Sequence, residues 1–323
     1  MALDSTWGND HMHRNEIFRS MLKNILRDDL FASQWVNYIG EFTDGSNYKI
    51  NSVGELTIDQ MSEATSLPDR RPDSAQFVFN VNEFVGVKVP FTDVFLEDDF
   101  MASQVLSTLP DRMTRAFEEY LESRVLRLQR EQTDDDDNAI NGANHRFVAN
   151  GTGRTITIQD VAYVSYVLKK AAVGTNAMVG IVDPSFEFNT NISAQVVTAD
   201  NPQYRGIIET GVGKGFRFIR NIYGVDFYTS NYLDTEAAIE SSLSDYLGNT
   251  TATVVGDVAN VFFSAQEAEN MPFIGAWRRR PTIKSWRDED KETEYHQLSA
   301  RFGLKLYRPE NLVVMFSSTT LNS

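Results

Sequence analysis

The sequence predicts an α+β protein. Three observations carry this. Two apolar, alternating segments at Phe77–Val81 and Val85–Val89 lead towards a long amphipathic helix; a short continuous apolar run at Ala177–Val182 ends in Asp183-Pro184; and a strict period-two alternation fills Leu298–Leu306.

In the first of these, Phe77, Phe79 and Val81 alternate with Val78, Asn80 and Asn82, which gives a strand one drier face. Val85, Val87 and Val89 repeat the pattern up to Pro90, which has no N–H to donate and is expected to close the strand. The acidic run Glu97-Asp98-Asp99 suits the approach to a helix N-terminus. Thr108 reads as the N-cap, Pro110 as a first-turn residue, and Asp111 stands three residues after the threonine. The helix expected over Pro110–Glu131 is about 33 Å long at 1.5 Å per residue. Met113, Phe117, Tyr120, Leu121 and Leu128 trace its apolar face, and Arg115, Glu118, Glu119, Glu122, Arg127 and Arg130 its polar one.

Upstream, residues 1–14 are polar and read as a mobile arm. Phe18, Met21, Leu22, Ile25 and Leu30 recur at helical spacing behind Asn15, predicting an amphipathic helix to about Asp29. From Gly40 to Pro72 short strand-like pieces are broken at Asp44-Gly45, Gly54 and Pro68. With Phe77–Val89 returning antiparallel, residues 45–90 form an expected two-stranded excursion, which alone is only marginally stable in water. Both features need partners, either in the core or on another subunit.

Downstream, Asp134–Asp137 and the Asn/Gly-rich stretch to Gly153 read as a solvated loop. It lacks the glycine and terminal glutamate of a calcium loop. A helix is expected over Thr157–Ala172, with Val161, Val164, Tyr166 and Leu168 on or near one face, Lys169-Lys170 in its last turn and Gly174 ending it. Ala177–Val182 reads as a central strand covered on both faces. Strands are expected at Phe216–Ile219, Val225–Tyr228 and Val261–Ser264, and a helix near Thr235–Tyr246. Trp277-Arg278-Arg279-Arg280-Pro281 then precedes a strand-like Thr282–Trp286. Leu298, Ala300, Phe302, Leu304 and Leu306 share one face of the next strand, Arg308-Pro309-Glu310 turns the chain, and Leu312–Phe316 is dry.

The composition narrows the function classes. A chain of 323 residues with 41% hydrophobic content can build one large domain or two ordinary ones. A formal charge of -15 makes the average surface repel nucleic acid and anionic membranes, so contact with either requires a local basic patch. The absence of cysteine excludes disulfides, thiolate metal sites and a cysteine nucleophile, and suits a reducing cytoplasm. No apolar run reaches the ~18 residues of a membrane span, and no signal-peptide core follows Met1.

No catalytic motif emerges. His11 and His13, two apart in the polar arm, are a weak chelating pair, and His145 and His296 stand alone. Gly211-Val212-Gly213-Lys214-Gly215 lacks the Ser or Thr after lysine that a phosphate loop needs. Arg278-Arg279-Arg280 is the one compact basic cluster, suited to DNA, a scaffold or an acidic neighbour, or to plain solvation at the base of a loop.

The order of elements resembles the major capsid proteins of tailed bacteriophages, the Hong Kong 97-type fold that encapsulins share. Its most specific pieces are Val179-Gly180-Ile181-Val182-Asp183-Pro184 after the Gln159–Val173 helix, and Phe302-Gly303-Leu304-Lys305-Leu306-Tyr307-Arg308-Pro309-Glu310 near the end. The resemblance implies an N-terminal arm (1–40), an extended loop over the next subunit (41–90), a peripheral domain with a spine helix (91–175 with 276–297) and an axial domain (176–275 with 298–323). It implies hexamers and pentamers closing into an icosahedral shell around double-stranded DNA, assembled in the host cytoplasm. No catalytic residue, cofactor, metal or membrane is implied. Only about forty residues precede the excursion, so a separate scaffolding protein is expected, beside a portal and decoration proteins. Lys49 and Lys88 are the lysines of the loop region, both near its base, so no covalent cross-link is expected. Expansion is expected to bend the helix near Pro110 or swing the loop base near Gly40 and Pro90. An encapsulin-type shell, a carboxylate-dependent hydrolase and a ring-forming tail or neck protein are the alternatives.

Overall fold

The computed structural model describes residues 30, 32–40, 47–53, 58–59, 74–98, 102–132, 139–192, 218–236, 243–249 and 252–319. The helix expected over 15–29, His11 and His13, the acidic loop Asp134–Asp137 and the glycine loop Gly211–Gly215 lie outside them. The chain runs β1 (Val36–Ile39), β2 (Asn47–Val53), β3 (Ser74–Asn80), β4 (Glu83–Thr92), α1 (Asp93–Asp98), α2 (Ala102–Arg127), β5 (Ala139–Ile140), β6 (Ala143–Asn144), β7 (Arg146–Val148), α3 (Ile158–Lys170), β8 (Met178–Val182), α4 (Pro184–Ile192), β9 (Phe218–Ile222), β10 (Val225–Thr229), β11 (Val258–Ser264), β12 (Phe273–Asp288), β13 (Thr293–Leu306) and β14 (Val313–Ser317). The mixture is α+β, as the sequence predicts.

A four-stranded sheet in the order β1-β12-β13-β4 carries the spine helix. Along β13 the residues Leu298, Ala300, Phe302, Leu304 and Leu306 are all buried, as their period-two spacing requires. Leu109, Met113, Phe117, Leu121 and Val125 of α2 repeat every four residues and are buried against this sheet and its neighbour. Phe117 meets Trp277 and Phe302 with ring centroids 6.1 Å away in each case.

The helix differs from expectation at its start. It begins at Ala102, eight residues early, and Pro110 lies inside it. The Thr108 hydroxyl donates back to the carbonyl of Val105 (3.2 Å) instead of capping. Tyr120 is exposed, off the buried stripe, whereas Glu122, expected on the polar face, is buried, and its carboxylate accepts from the backbone N–H of Ala32 at 2.7 Å. Pro90 does not close its strand either. β4 pairs with β13 as far as Thr92, and an edge strand tolerates a residue that cannot donate.

A six-stranded sheet in the order β7-β14-β11-β8-β10-β9 holds the second half of the core. Every residue of β8, β11 and β14 is buried. Val179, Ile181, Val261, Phe263, Val314 and Phe316 join the core under α2, while Met178, Val182, Phe262, Val313 and Met315 join α3 on the opposite face. Burial from both sides is why the sequence shows continuous apolar runs here. Asp183 ends β8 and opens α4, with its carboxylate accepting from Ser185 N–H at 2.9 Å.

β13 runs unbroken from Thr293 to Leu306 and pairs with β4, while β7 pairs with β14 in the six-stranded sheet and α3 packs on that layer. The helix expected near Thr235–Tyr246 is absent from its described ends: Thr235 bridges to Val258, and Tyr246-Leu247 form a turn.

α3 starts at a capping box in which Asp160 N–H donates to the Thr157 hydroxyl at 3.3 Å and Thr157 N–H donates to the Asp160 carboxylate at 2.8 Å. Burial raises the pKa of that carboxyl. At the other end Ala172 N–H bonds the Lys169 carbonyl (3.1 Å) and Val173 N–H bonds that of Leu168 (3.0 Å), a Schellman motif. Its left-handed position, φ +58°, is held by Ala172 and not by Gly174. An alanine there carries a steric cost of about 1 kcal/mol that glycine avoids. Ala172→Gly is expected to raise thermal stability by about 1 kcal/mol, read as a higher unfolding temperature; a lower one would remove this account of the helix end.

His145 is buried where β6 meets β7. Its Nδ1 lies 3.1 Å from the Ala143 carbonyl and its Nε2 3.2 Å from that of Glu310, in the Arg308-Pro309-Glu310 turn. A neutral ring donates to only one of them. Burial lowers its pKa below 6.5, the two carbonyls and the Glu310 charge offsetting part of the shift. A depressed folded pKa leaves the histidine's contribution intact above pH 6.5 and removes it as pH falls through the folded value. The stability gap between wild type and His145→Gln is therefore expected to narrow on acidification below pH 6.5 in paired thermal melts; a gap constant with pH would contradict this.

Candidate assembly surfaces

The two-stranded arm is the first surface. β2 and β3 pair antiparallel with Tyr48 opposite Phe79 and Ile50 opposite Phe77, and Gln76 donates to Asn51 across the pair at 2.9 Å. At its root Phe79 and Val81 are buried on Ile274 and Ala276 of β12. β13 passes directly beneath. A Cβ on Gly303 would stand 3.0 Å from the Val81 Cα and closer still to the Asn80 carbonyl oxygen, so only glycine permits the crossing. Two residues on, the Lys305 ammonium donates to the Val78 carbonyl (3.1 Å) and lies 4.8 Å from the Phe77 ring centroid. Tyr307 meets the same ring edge-on at 5.0 Å. Beside the root Tyr38 stacks on Trp277, and burial pushes its phenol up to about 12. Away from the root, Asn51 and Gln76 are exposed, and Ile58 is 99% exposed.

The second surface is the face of the four-stranded sheet turned away from α2. Register places Phe84, Arg301 and Arg279 side by side across β4, β13 and β12. A groove there is lined by Asn82, Phe84, Arg278, Arg279 and Arg301. Arg279 donates to the Ser299 hydroxyl (3.0 Å) and covers the Phe84 ring at 5.1 Å. Further out the Lys88 ammonium sits 3.7 Å from the Tyr295 centroid and 5.0 Å from that of Trp286, two rings that stack on each other. The basic cluster 278–280 is thus part of β12, broken by two register shifts between Trp277 and Thr282, and not the base of a loop. Sequence spacing gave no sign that Arg301 would join it, because that depends on strand register.

A third surface lies on the six-stranded layer. Tyr163 stacks on Tyr166 at 5.7 Å and tilts against Tyr246 at 6.1 Å. Tyr166, expected on the buried face of its helix, is exposed, as is Leu247.

Ser285 and His296 share a hydrogen bond of 2.7 Å, but Glu294 is 3.7 Å from the other ring nitrogen, beyond hydrogen-bond reach, and the imidazole stands edge-on to Phe91. Among the described residues no group of three His, Asp or Glu side chains is placed to hold a metal ion. No helix among them is long and apolar enough to cross a membrane. Lys49 is exposed on β2, and Lys88 is held against its aromatic pair.

No protein-family model matches the chain, and no curated protein matches it in sequence. Solved structures do. A chain of Mycobacterium phage Che8 is 14% identical with a TM-score of 0.63, over 97% of this chain and 99% of that one. The mature capsid of bacteriophage PhiM1 is 13% identical with a TM-score of 0.67, over 94% and 91%. The capsid of the native GTA particle is 9% identical with a TM-score of 0.65, over 98% and 100%. At such identities the likeness speaks for architecture, and the architecture of this chain is the Hong Kong 97-type fold of phage capsid proteins.

Proposed function

We propose that this chain is the major capsid protein of a tailed phage, a structural protein whose copies associate as hexamers and pentamers into an icosahedral shell around double-stranded DNA. The observation that carries the reading is the end-to-end match to phage and GTA capsid subunits, over more than nine-tenths of the chain in each case reported. The β2–β3 arm, which pairs with no third strand among the described residues, supports it, since a two-stranded ribbon is marginal without a neighbour to lie on. In this reading residues 1–40 form the N-terminal arm and the stretch around β2 and β3 the extended loop. The four-stranded sheet with α2 forms the peripheral domain, and the six-stranded sheet with α3 and α4 the axial domain. Phage and GTA capsids as structural neighbours favour a nucleic-acid cargo over the enzyme cargo of an encapsulin. The partners are other copies of the chain, with a separate scaffolding protein, a portal and decoration proteins completing the particle. Assembly takes place in the host cytoplasm and leaves the protein in the virion shell. The net charge of -15 suits packaged DNA that slides past the wall instead of adhering to it.

Electron microscopy of the purified chain, with and without a coexpressed scaffold, tests this directly. Uniform shells or capsomer rings are expected, and a compact monomer under every condition would sink the proposal. Gly303→Ala tests the arm. The added methyl collides with backbone at the crossing, so the arm root must shift, and the expected cost is about 1–3 kcal/mol, as for overpacking elsewhere. Shell yield is expected to fall more steeply than monomer stability; an equal loss of both would mean that Gly303 serves the fold alone.

A further inference from the structure

We propose that the groove around Arg279 and Arg301 is the seat for an acidic surface of a second copy of this chain. The inference rests on the shell reading and goes beyond it by naming a receiving site and the chemistry that fills it. β12 and β13 pair in a register that sets Arg279 directly opposite Arg301. Like charges in that position weaken a strand pair. An anion placed over the two guanidinium groups reverses the sign of that interaction.

The groove is built for such an anion. Among the described residues its lining brings Arg279 and Arg301 together with Asn82 and Phe84. Arg279 is held in place by its bond to the Ser299 hydroxyl and by the Phe84 ring beneath it. Phe84 itself is 65% exposed, an apolar wall beside the charge. Guanidinium groups fixed on a rigid sheet lose little freedom on pairing and bind carboxylates through two parallel hydrogen bonds.

Charge selects the partner. Each copy carries 45 acidic against 30 basic side chains, so in an assembly of copies the polyanion that adjoins this groove is the chain itself. Duplex DNA fits less well, because the rest of the surface repels it. The aromatic pair further along the sheet offers no bare platform for bases either, since Lys88 lies over both rings.

The test compares wild type with the double variant Arg279→Gln, Arg301→Gln as full-length chains. Sedimentation over a range of NaCl concentrations, thermal unfolding and a duplex-DNA titration followed by fluorescence anisotropy are the readouts. Wild type is expected to associate in a salt-sensitive way, and the variant to require about tenfold more protein and to lose part of that sensitivity. The variant's unfolding temperature is expected to hold or rise, because the cross-strand repulsion is gone. Arg301→Lys, which keeps the charge, is expected to keep salt-sensitive association, and this smaller change decides the matter if the double variant unfolds early. Equal association of wild type and variants at every salt concentration overturns the groove proposal and leaves the shell reading standing. A wild type that associates neither alone nor with a coexpressed scaffold overturns both. DNA binding that the variant loses while association is unchanged assigns the groove to phosphate and overturns the second-copy seat.

Discussion

The structure depends on one crossing. The link between β3 and β4 passes over β13 at Gly303, with backbone so close that no side chain fits. β13 therefore has two jobs on its two faces. Leu298, Ala300, Phe302, Leu304 and Leu306 hold the core under the spine helix, and Gly303 and Lys305 on the other face receive the root of the arm. Because β13 is also central in its sheet, between β12 and β4, the direction in which the arm leaves the body is set by the most firmly paired strand available. In the proposed shell an arm that reaches a neighbour needs such a root, since small angular errors at the base grow with distance.

The body behind that root is continuous. One core joins α2, the four-stranded sheet and one face of the six-stranded sheet. Where α2 ends, buried polar groups take over. Asp234 accepts from Gln129 at 3.1 Å and is paired with Arg130, Arg146 donates to both the backbone carbonyl and the side chain of Gln129, and the Gln132 amide reaches the carbonyls of Pro309 and Leu312. Glu131 accepts from Leu306 N–H at 2.9 Å. Such groups are costly to bury alone and directional once paired. They give the junction between the two layers a direction that apolar packing lacks.

Local patterns were legible where one rule acted unopposed. The alternation of β13, the dry runs of β8 and β14 and the helix starting at Thr157 all appear in the structure as their spacing requires. Errors arose where long-range contacts overrode a local signal. Thr108-Pro110-Asp111 has the composition of a helix start, yet the apolar stripe from Leu109 is packed on the sheets, and the helix extends upstream through the proline. Glu122 has the spacing of a solvated residue and is buried because Ala32 brings an N–H to it. Pro90 has the composition of a strand end and sits in an edge strand instead. The arginine groove depends on a register between residues 22 positions apart, which no window of sequence contains. The fold itself was read from the order of elements along the whole chain, and a likeness at 9–14% identity is of the same kind, a conserved order with almost no conserved letters.

Two features that are unfavourable in a single chain point in the same direction. The β2–β3 ribbon pairs with no third strand among the described residues, an arrangement that invites pairing with another chain. The Arg279–Arg301 register places like charges face to face on a sheet that could have avoided it with either residue changed. Under the proposals above, each costs the isolated subunit a modest amount and becomes favourable when a second surface arrives. In a closed shell every copy both gives and receives such contacts, so individually weak terms are multiplied by the number of neighbours. Under the proposed function, a core complete within one chain and edges completed by neighbours meet the physical requirement on a protein that folds first and assembles afterwards.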